Sequence, residues 1–300
     1  MDGRTQQVEA VLFDTFGTVV DWRTGVATAV DDFASRHGLD LDGTAFAMRW
    51  RELYQPAMEP VRTGERDFTP LDVLHAENLR IVLAEHGVDP AAFDEAELRW
   101  LNEAWHRLPA WPDSAPGLAR LARSVTVGAL SNGNLALLSR LAKHAGLPWD
   151  VIVASDVTHA YKPQRQAYER AASFLGLRTE QVMLAAAHND DLRAARDAGL
   201  RTAFIPRPPS TGPRRRRTWH PMRTGTWSRE IWSSWRRSSA TGPGPRTGTS
   251  HRLRCELQFP PQLHAARRMP GCQDRYRPAV ARGSSRGRWC APPGSPPRTG

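Results

Sequence analysis

Lysine is nearly missing from this 300-residue chain: Lys143 and Lys162 stand against 39 arginines. Where arginine is so preferred, a retained lysine points to a position that needs a compact ammonium charge. Cysteine is missing from residues 1–206; Cys255, Cys272 and Cys290 all lie beyond, at spacings that match no zinc pattern. Disulfides therefore cannot hold the first two thirds together. No apolar run is long enough to span a bilayer, and the start, MDGRTQQVEA, has no signal-like apolar stretch. These absences make a cytoplasmic enzyme, with no membrane partner, the default expectation.

Acidic residues are scarce in only one part of the chain. Residues 1–206 hold 21 Lys+Arg against 28 Asp+Glu, a net −7, whereas residues 207–300 hold 20 Arg and only Glu230, Glu256 and Asp274. The overall +10 is the sum of two unlike segments, and no specific nucleic-acid partner follows from it. Past Pro208 there is no sustained hydrophobic period, and Pro, Gly, Ser and Arg dominate. A basic, Trp-dotted arm for nucleic acid is one reading; disorder is the one the composition favours. The letters add a third. Arg216–Trp235, back-translated with G/C-favouring codons and read in a shifted frame, gives ADLAPDADWDVVARDLVEL, a loop, a strand and an amphipathic helix. Residues 208–300 are thus expected to be a disordered tail of frameshifted origin, leaving in doubt whether the chain folds to an active enzyme.

What is present is an alternation. Short β-rich apolar runs occur at Val8–Asp14, Val125–Ser131, Val151–Ser155, Val182–Ala187 and Thr202–Ile205. Helical patterns separate the later ones, at Leu135–His144, Gln166–Leu175 and Asp191–Ala198, with Gly176 and Gly199 placed as C-terminal caps. This predicts an α/β fold with a doubly wound, Rossmann-like parallel sheet. Residues 22–108 read as helices only, over Val26–His37, Ala45–Met58, Asp72–His86 and Glu95–Arg107. They predict a helical cap inserted after the first strand of a core formed by residues 1–21 and 109–207. Asp14, Ser131 and the acids after Ala187 then fall at the C-terminal strand ends, where open α/β sheets bind ligands.

Four motifs sit at those ends: Asp14–Thr18 (DTFGT), Leu130–Asn134 (LSNGN), Ala160–Pro163 (AYKP) and His188–Leu192 (HNDDL). In order and spacing, over about residues 8–208, they resemble the haloacid dehalogenase superfamily, and within it the 2-haloacid dehalogenases (type II). The resemblance implies that Asp14 is a carboxylate nucleophile, a role that requires it to be ionised and aimed. It implies that Lys162 pairs with that nucleophile, and that Asp191 orients or activates the hydrolytic water. Asp191 also reads as a helix N-cap. Ser131 and Asn132 resemble the family pair that hydrogen-bonds the substrate carboxylate and the nucleophile. Thr18 closes the first motif as a substrate-binding candidate, Arg51 aligns with a family arginine sent into the site from the cap, and Tyr168 resembles a site tyrosine.

Two departures bear on the reaction. Superfamily phosphatases usually place a second Asp two residues after the nucleophile, as general acid and magnesium ligand; here it is Phe16, which transfers no proton. They also carry a Gly-Asp pair near the last acid, where this chain has Ala186 and Ala187, so an octahedral magnesium site would lose a carboxylate. Both favour carbon–halogen cleavage with no metal and no cofactor: hydrolysis of a short 2-haloacid through an ester on Asp14. A magnesium-dependent phosphohydrolase is the alternative. The family version of the last motif has Ser and Asn where Ala186 and His188 stand, which puts the water-positioning network in doubt. Family members are often homodimers; no feature of this sequence establishes one.

Overall fold

The computed structural model describes residues 7–207. The tail reading, including its order and origin, lies outside the described residues. Five strands form one parallel sheet: β1 (Ala10–Phe13), β2 (Thr126–Leu130), β3 (Val151–Val153), β4 (Val182–Ala186) and β5 (Arg201–Phe204), in the order β3-β2-β1-β4-β5. The period-2 pattern of β1 explains why both faces are covered. Val11 and Phe13 join one apolar cluster, while Ala10 and Leu12 join the other. A strand buried on both sides reads as a continuous apolar run, which is how VEAVLF reads.

Between β1 and β2 come α1 (Trp22–His37), α2 (Gly43–Glu52), α3 (Tyr54–Thr63), α4 (Leu71–Glu85), α5 (Glu95–Asn102) and α6 (Ser114–Leu121). After β2 follow α7 (Leu135–Ala145), the single turn α8 (Ser155–Thr158), α9 (Arg165–Phe174) and α10 (Asn189–Asp197). Gly176 and Gly199 adopt the positive φ that ends α9 and α10. Three boundaries differ from the sequence expectation. The helix expected over Ala45–Met58 is broken at Leu53, because Pro56 has no N–H with which to carry the ladder back to Glu52. The pattern over Glu95–Arg107 tightens after Asn102 into a 3₁₀ turn that buries Trp105 and His106. Helix α6 was not anticipated; Pro116 and Gly117 mask its pattern.

The apolar cluster on the Val11/Phe13 face continues without a break into helices α1–α5, through Trp22, Val26, Phe33, Phe46, Trp50 and Trp105. Polar bonds cross the same junction. Asp72, on α4, accepts from Asn134 Nδ2 at 3.0 Å, and Asn134 Oδ1 accepts from Asp72 N at 3.2 Å. His106 Nε2 lies 2.8 Å from the other Asp72 oxygen. The inserted helices are therefore anchored to the sheet domain over the strand ends that carry the motifs.

Candidate active site

The turn after β1 sets the site. Gly17 N donates to Val20 O at 3.0 Å, and Val19 N donates to Thr15 O at 3.0 Å, so the chain reverses within DTFGT. Gly17 has φ +84°, and a Cβ there would approach His188 Cε1 to 3.3 Å. The positive φ favours glycine, and a side chain there would also press on that imidazole. The reversal leaves Asp14 just past the end of β1, buried to 7% exposure. Register places it at the level of Ala186, the last residue of neighbouring β4. The β1/β4 crevice is where the chain's progress across the sheet changes direction, the switch point at which such sheets bind ligands.

Each oxygen of Asp14 is held. Oδ1 accepts from Lys162 Nζ at 2.9 Å. Oδ2 accepts from Thr18 Oγ1 at 2.7 Å and lies 2.9 Å from His188 Nδ1. An ionised carboxylate only accepts, so Nδ1 is the nitrogen that carries hydrogen here. Thr18 is oriented in turn: its oxygen takes the Ala187 N–H at 3.0 Å, which leaves its single hydrogen for Asp14. Burial opposes the charge on Asp14, but the Lys162 ammonium, and after it His188 and Thr18, hold the carboxyl well below its ordinary range. Asp14 is a buried, oriented anion.

Lys162 spends all three of its N–H bonds: on Asp14, on Leu130 O at 3.0 Å, and on Asp191 Oδ2 at 2.6 Å. Burial lowers its proton affinity, yet the two carboxylates more than reverse this and hold the ammonium charged. Asp191 Oδ1 accepts from Tyr168 OH at 2.7 Å. Burial, then the Asp191 charge, keep the Tyr168 phenol protonated. Asp191 is not the helix cap that its sequence position suggested. The capping position of α10 is His188, without a side-chain cap bond, and Asp191 lies one turn in, free to face Lys162.

The remaining candidates fall into two groups. Ser131 and Asn132 lie buried at the end of β2, but neither bonds Asp14. Asn132 Oδ1 takes the Lys162 backbone N–H at 2.7 Å and its Nδ2 donates to Lys162 O at 3.3 Å, so it clamps the residue that holds Asp14. Ser131 Oγ takes the Gly133 N–H at 3.3 Å. Arg51, on α2, has its guanidinium 3.7 Å from the centre of the Tyr54 ring and 5.5 Å from that of Trp22. Its Nη1 is buried without a hydrogen-bond partner among the described residues. An unpaired, buried cationic donor of this kind is suited to an anion. Phe16, two residues after Asp14, is buried edge-on against Trp105, ring centres 5.8 Å apart.

His188 is the residue of this site that the sequence reasoning missed. It stood out only as a departure from the family's last motif. The pairing of β1 with β4 was the signal that would have found it, because a residue two past the end of β4 stands beside one just past the end of β1.

The chain belongs to the haloacid dehalogenase-like hydrolase family, whose pattern matches residues 8–199. Among solved structures it is similar to the defluorinating L-2-haloacid dehalogenase Rha0230, with 58% identity over 69% of this chain and 85% of that one, at a TM-score of 0.68. It is also similar to the L-2-haloacid dehalogenase of Xanthobacter autotrophicus solved with chloropropionic acid covalently bound. There the identity is 26% over 66% of this chain and 78% of that one, at a TM-score of 0.58. The (S)-2-haloacid dehalogenase of the same organism is 28% identical over 67% of this chain and 76% of its own length.

Proposed function

We propose that the protein hydrolyses short 2-haloacids to 2-hydroxyacids through an ester formed on Asp14. The single observation that carries this is a buried carboxylate kept ionised by Lys162, with Phe16 where a proton donor would otherwise stand. Halide leaves without a proton, so a nucleophile flanked by a phenyl ring is sufficient for carbon–halogen cleavage. Arg51 and Ser131 hold the substrate, its carboxylate meeting the bare Nη1. Asp14 then attacks C2 from the side opposite the halogen, which inverts that centre. Water, oriented by Asp191 near Lys162, opens the ester. The covalent chloropropionic adduct named for the Xanthobacter enzyme supports such an ester, and the name of Rha0230 extends the substrate class to fluorinated acids.

The phosphohydrolase alternative is not favoured. The oxygens of Asp14 and Asp191 are taken by Lys162, Thr18, His188 and Tyr168. Among the described residues, no group of three or more His, Cys, Asp or Glu side chains is placed to hold a metal ion. Magnesium, which demands several oxygens in octahedral array, does not fit the residues present.

The test is halide release from (S)-2-chloropropionate and fluoroacetate, with and without chelator, beside a magnesium-supplemented phosphatase assay. Chelator-insensitive halide release is expected. Phosphate release that requires magnesium, with no halide from either acid, would sink the proposal. Among the described residues no helix is long and apolar enough to cross a membrane; cytoplasmic location and a homodimer are parts of the same proposal, checked by fractionation and by light scattering.

A further inference from the structure

We infer that His188 is a catalytic residue of the second half-reaction, in which it and Thr18 form the oxyanion hole that receives Oδ2 of Asp14. The inference rests on the dehalogenase reading above and assigns a step within it.

The two oxygens of Asp14 are not equivalent. Oδ1 meets one donor, the Lys162 ammonium at 2.9 Å, on the side of the Asp191 pair. Oδ2 meets two, the Thr18 hydroxyl at 2.7 Å and His188 Nδ1 at 2.9 Å. Both donors are in place before any substrate arrives. Thr18 is oriented by the Ala187 N–H, which its oxygen accepts, and His188 Nδ1 already lies 2.9 Å from Oδ2 with its ring over Gly17. With two donors in place Oδ2 has less lone-pair density free to reach C2 than Oδ1, which meets Lys162 alone. Attack on C2 is therefore assigned to Oδ1, and Oδ2 becomes the carbonyl oxygen of the ester.

The chemistry then needs what Oδ2 already has. Water adds to Cγ of Asp14; a bond forms from the water oxygen to Cγ, and the carbonyl π pair moves onto Oδ2. Donors at 2.7 and 2.9 Å lie in the range expected of an oxyanion hole. On collapse the pair returns to Cγ and the Cγ–Oδ1 bond breaks. Oδ1 leaves with the substrate carbon, takes one proton of the water, and becomes the 2-hydroxyl of the product. The second proton is released as Asp14 regains its carboxylate, now made of Oδ2 and the water oxygen. Neutral or protonated, His188 can fill this role, because only its Nδ1–H is used. The side chain is 39% exposed, so its far edge is open to solvent while Nδ1 faces the nucleophile.

Rapid mixing of the full chain with (S)-2-chloropropionate, followed by chloride detection and intact protein mass, separates this role from simple aiming of Asp14. For His188→Leu, the first equivalent of chloride is expected within about tenfold of the wild-type rate. Later turnovers should slow by about 10²- to 10³-fold, the usual effect of losing one oxyanion donor. Protein carrying the propionate adduct on Asp14 should accumulate. His188→Asn, which keeps an N–H donor and suits a helix start, should recover part of the hydrolysis. If both variants lose first and later turnovers in equal measure, with unmodified protein at steady state, His188 only aims the nucleophile and the assignment falls. Wild-type protein that releases no halide overturns the dehalogenase reading, and the assignment with it.

Discussion

Lys162 and Asp14 form a buried ion pair across 148 residues of sequence, Nζ to Oδ1 at 2.9 Å, with Asp191 at 2.6 Å completing a carboxylate–ammonium–carboxylate row. One cation thus serves two anions, each of which would be costly to bury alone. The rare lysine of this chain stands where two carboxylates need a compact charge between them.

Lys162→Met leaves those carboxylates facing each other without a counter-ion. Removing one partner of a buried ionic network typically costs about 3–5 kcal/mol. The variant is expected to lose that order of stability in denaturant titration, and its halide release should fall below detection. The wild type defines the pH signs. Asp14 is depressed in the folded state from 3.8, so its contribution is complete above that value and is lost as pH falls through the acid range. Lys162 is raised from 10.5, so its contribution is complete below that value and is lost as pH rises further. In Lys162→Met the acid loss should begin at higher pH, as one carboxylate retains its proton.

Asp14→Asn should abolish turnover while leaving a folded protein. An amide neither attacks carbon nor forms the ester, so a fall of roughly 10⁴-fold or more in kcat is expected. Its NH₂ would also face donors at Thr18 and His188, or else at Lys162. A loss of about 1–3 kcal/mol should accompany the substitution. Retained halide release at more than a hundredth of wild type would exclude Asp14 as the nucleophile.

Arg51→Met should separate stability from activity. The guanidinium stacks on Tyr54 at 3.7 Å while its Nη1 is buried and unpaired. Methionine keeps apolar volume and removes an unsatisfied donor, so the free protein should be unchanged or more stable by about 1 kcal/mol. The KM for a 2-haloacid should rise by about tenfold or more, because a charged hydrogen bond to the substrate is worth about 1.5–3 kcal/mol. Unaltered KM would remove Arg51 from the site.

His75 predicts acid sensitivity that does not depend on Asp14. The ring is 1% exposed, stacked on Trp105 at 4.4 Å, with neither nitrogen hydrogen-bonded among the described residues. Burial, reinforced by the Arg51 and His106 charges and opposed by Asp72, pushes its pKa down to about 3 from 6.5. The unfolded chain therefore binds a proton between those values that the folded chain refuses. The His75 contribution is complete above pH 6.5 and is lost as pH falls towards 3, by on the order of 3–5 kcal/mol. His75→Phe should flatten the stability profile over that window; an identical profile would show that His75 titrates normally.

Much of this architecture was legible because burial leaves periods in the sequence. The double-sided apolar run of β1, the runs ending at Ser131 and Ala187, and the helix-only stretch after β1 are local patterns, and each has its counterpart in the fold, with β2 and β4 ending one residue earlier. Where the pattern was broken by its own residues, the sequence was less informative. Pro56 splits what periodicity joined, and Pro116 with Gly117 hides a helix. The site divided along the same line. Asp14, Lys162, Thr18, Asp191 and Tyr168 come together as a connected set. Asn132 turns instead to the Lys162 backbone, and its rotamer depends on how the loop after α8 packs.

The sequence by itself determined a carboxylate at a strand end, one of only two lysines at Lys162, and a phenyl ring two residues after the carboxylate. Residue type and position relative to a local element place these; the roles expected of them came with the resemblance that the four motifs carry. Only the tertiary structure decided that the imidazole of His188 lies 2.9 Å from Asp14, 174 residues away in the chain. It also decided that Asp191 faces Lys162 rather than capping its own helix. The reason is physical: a hydrogen bond between distant residues depends on which strands are neighbours and at what register. Here β1 lies between β2 and β4, so that the ends of three strands converge on one carboxylate.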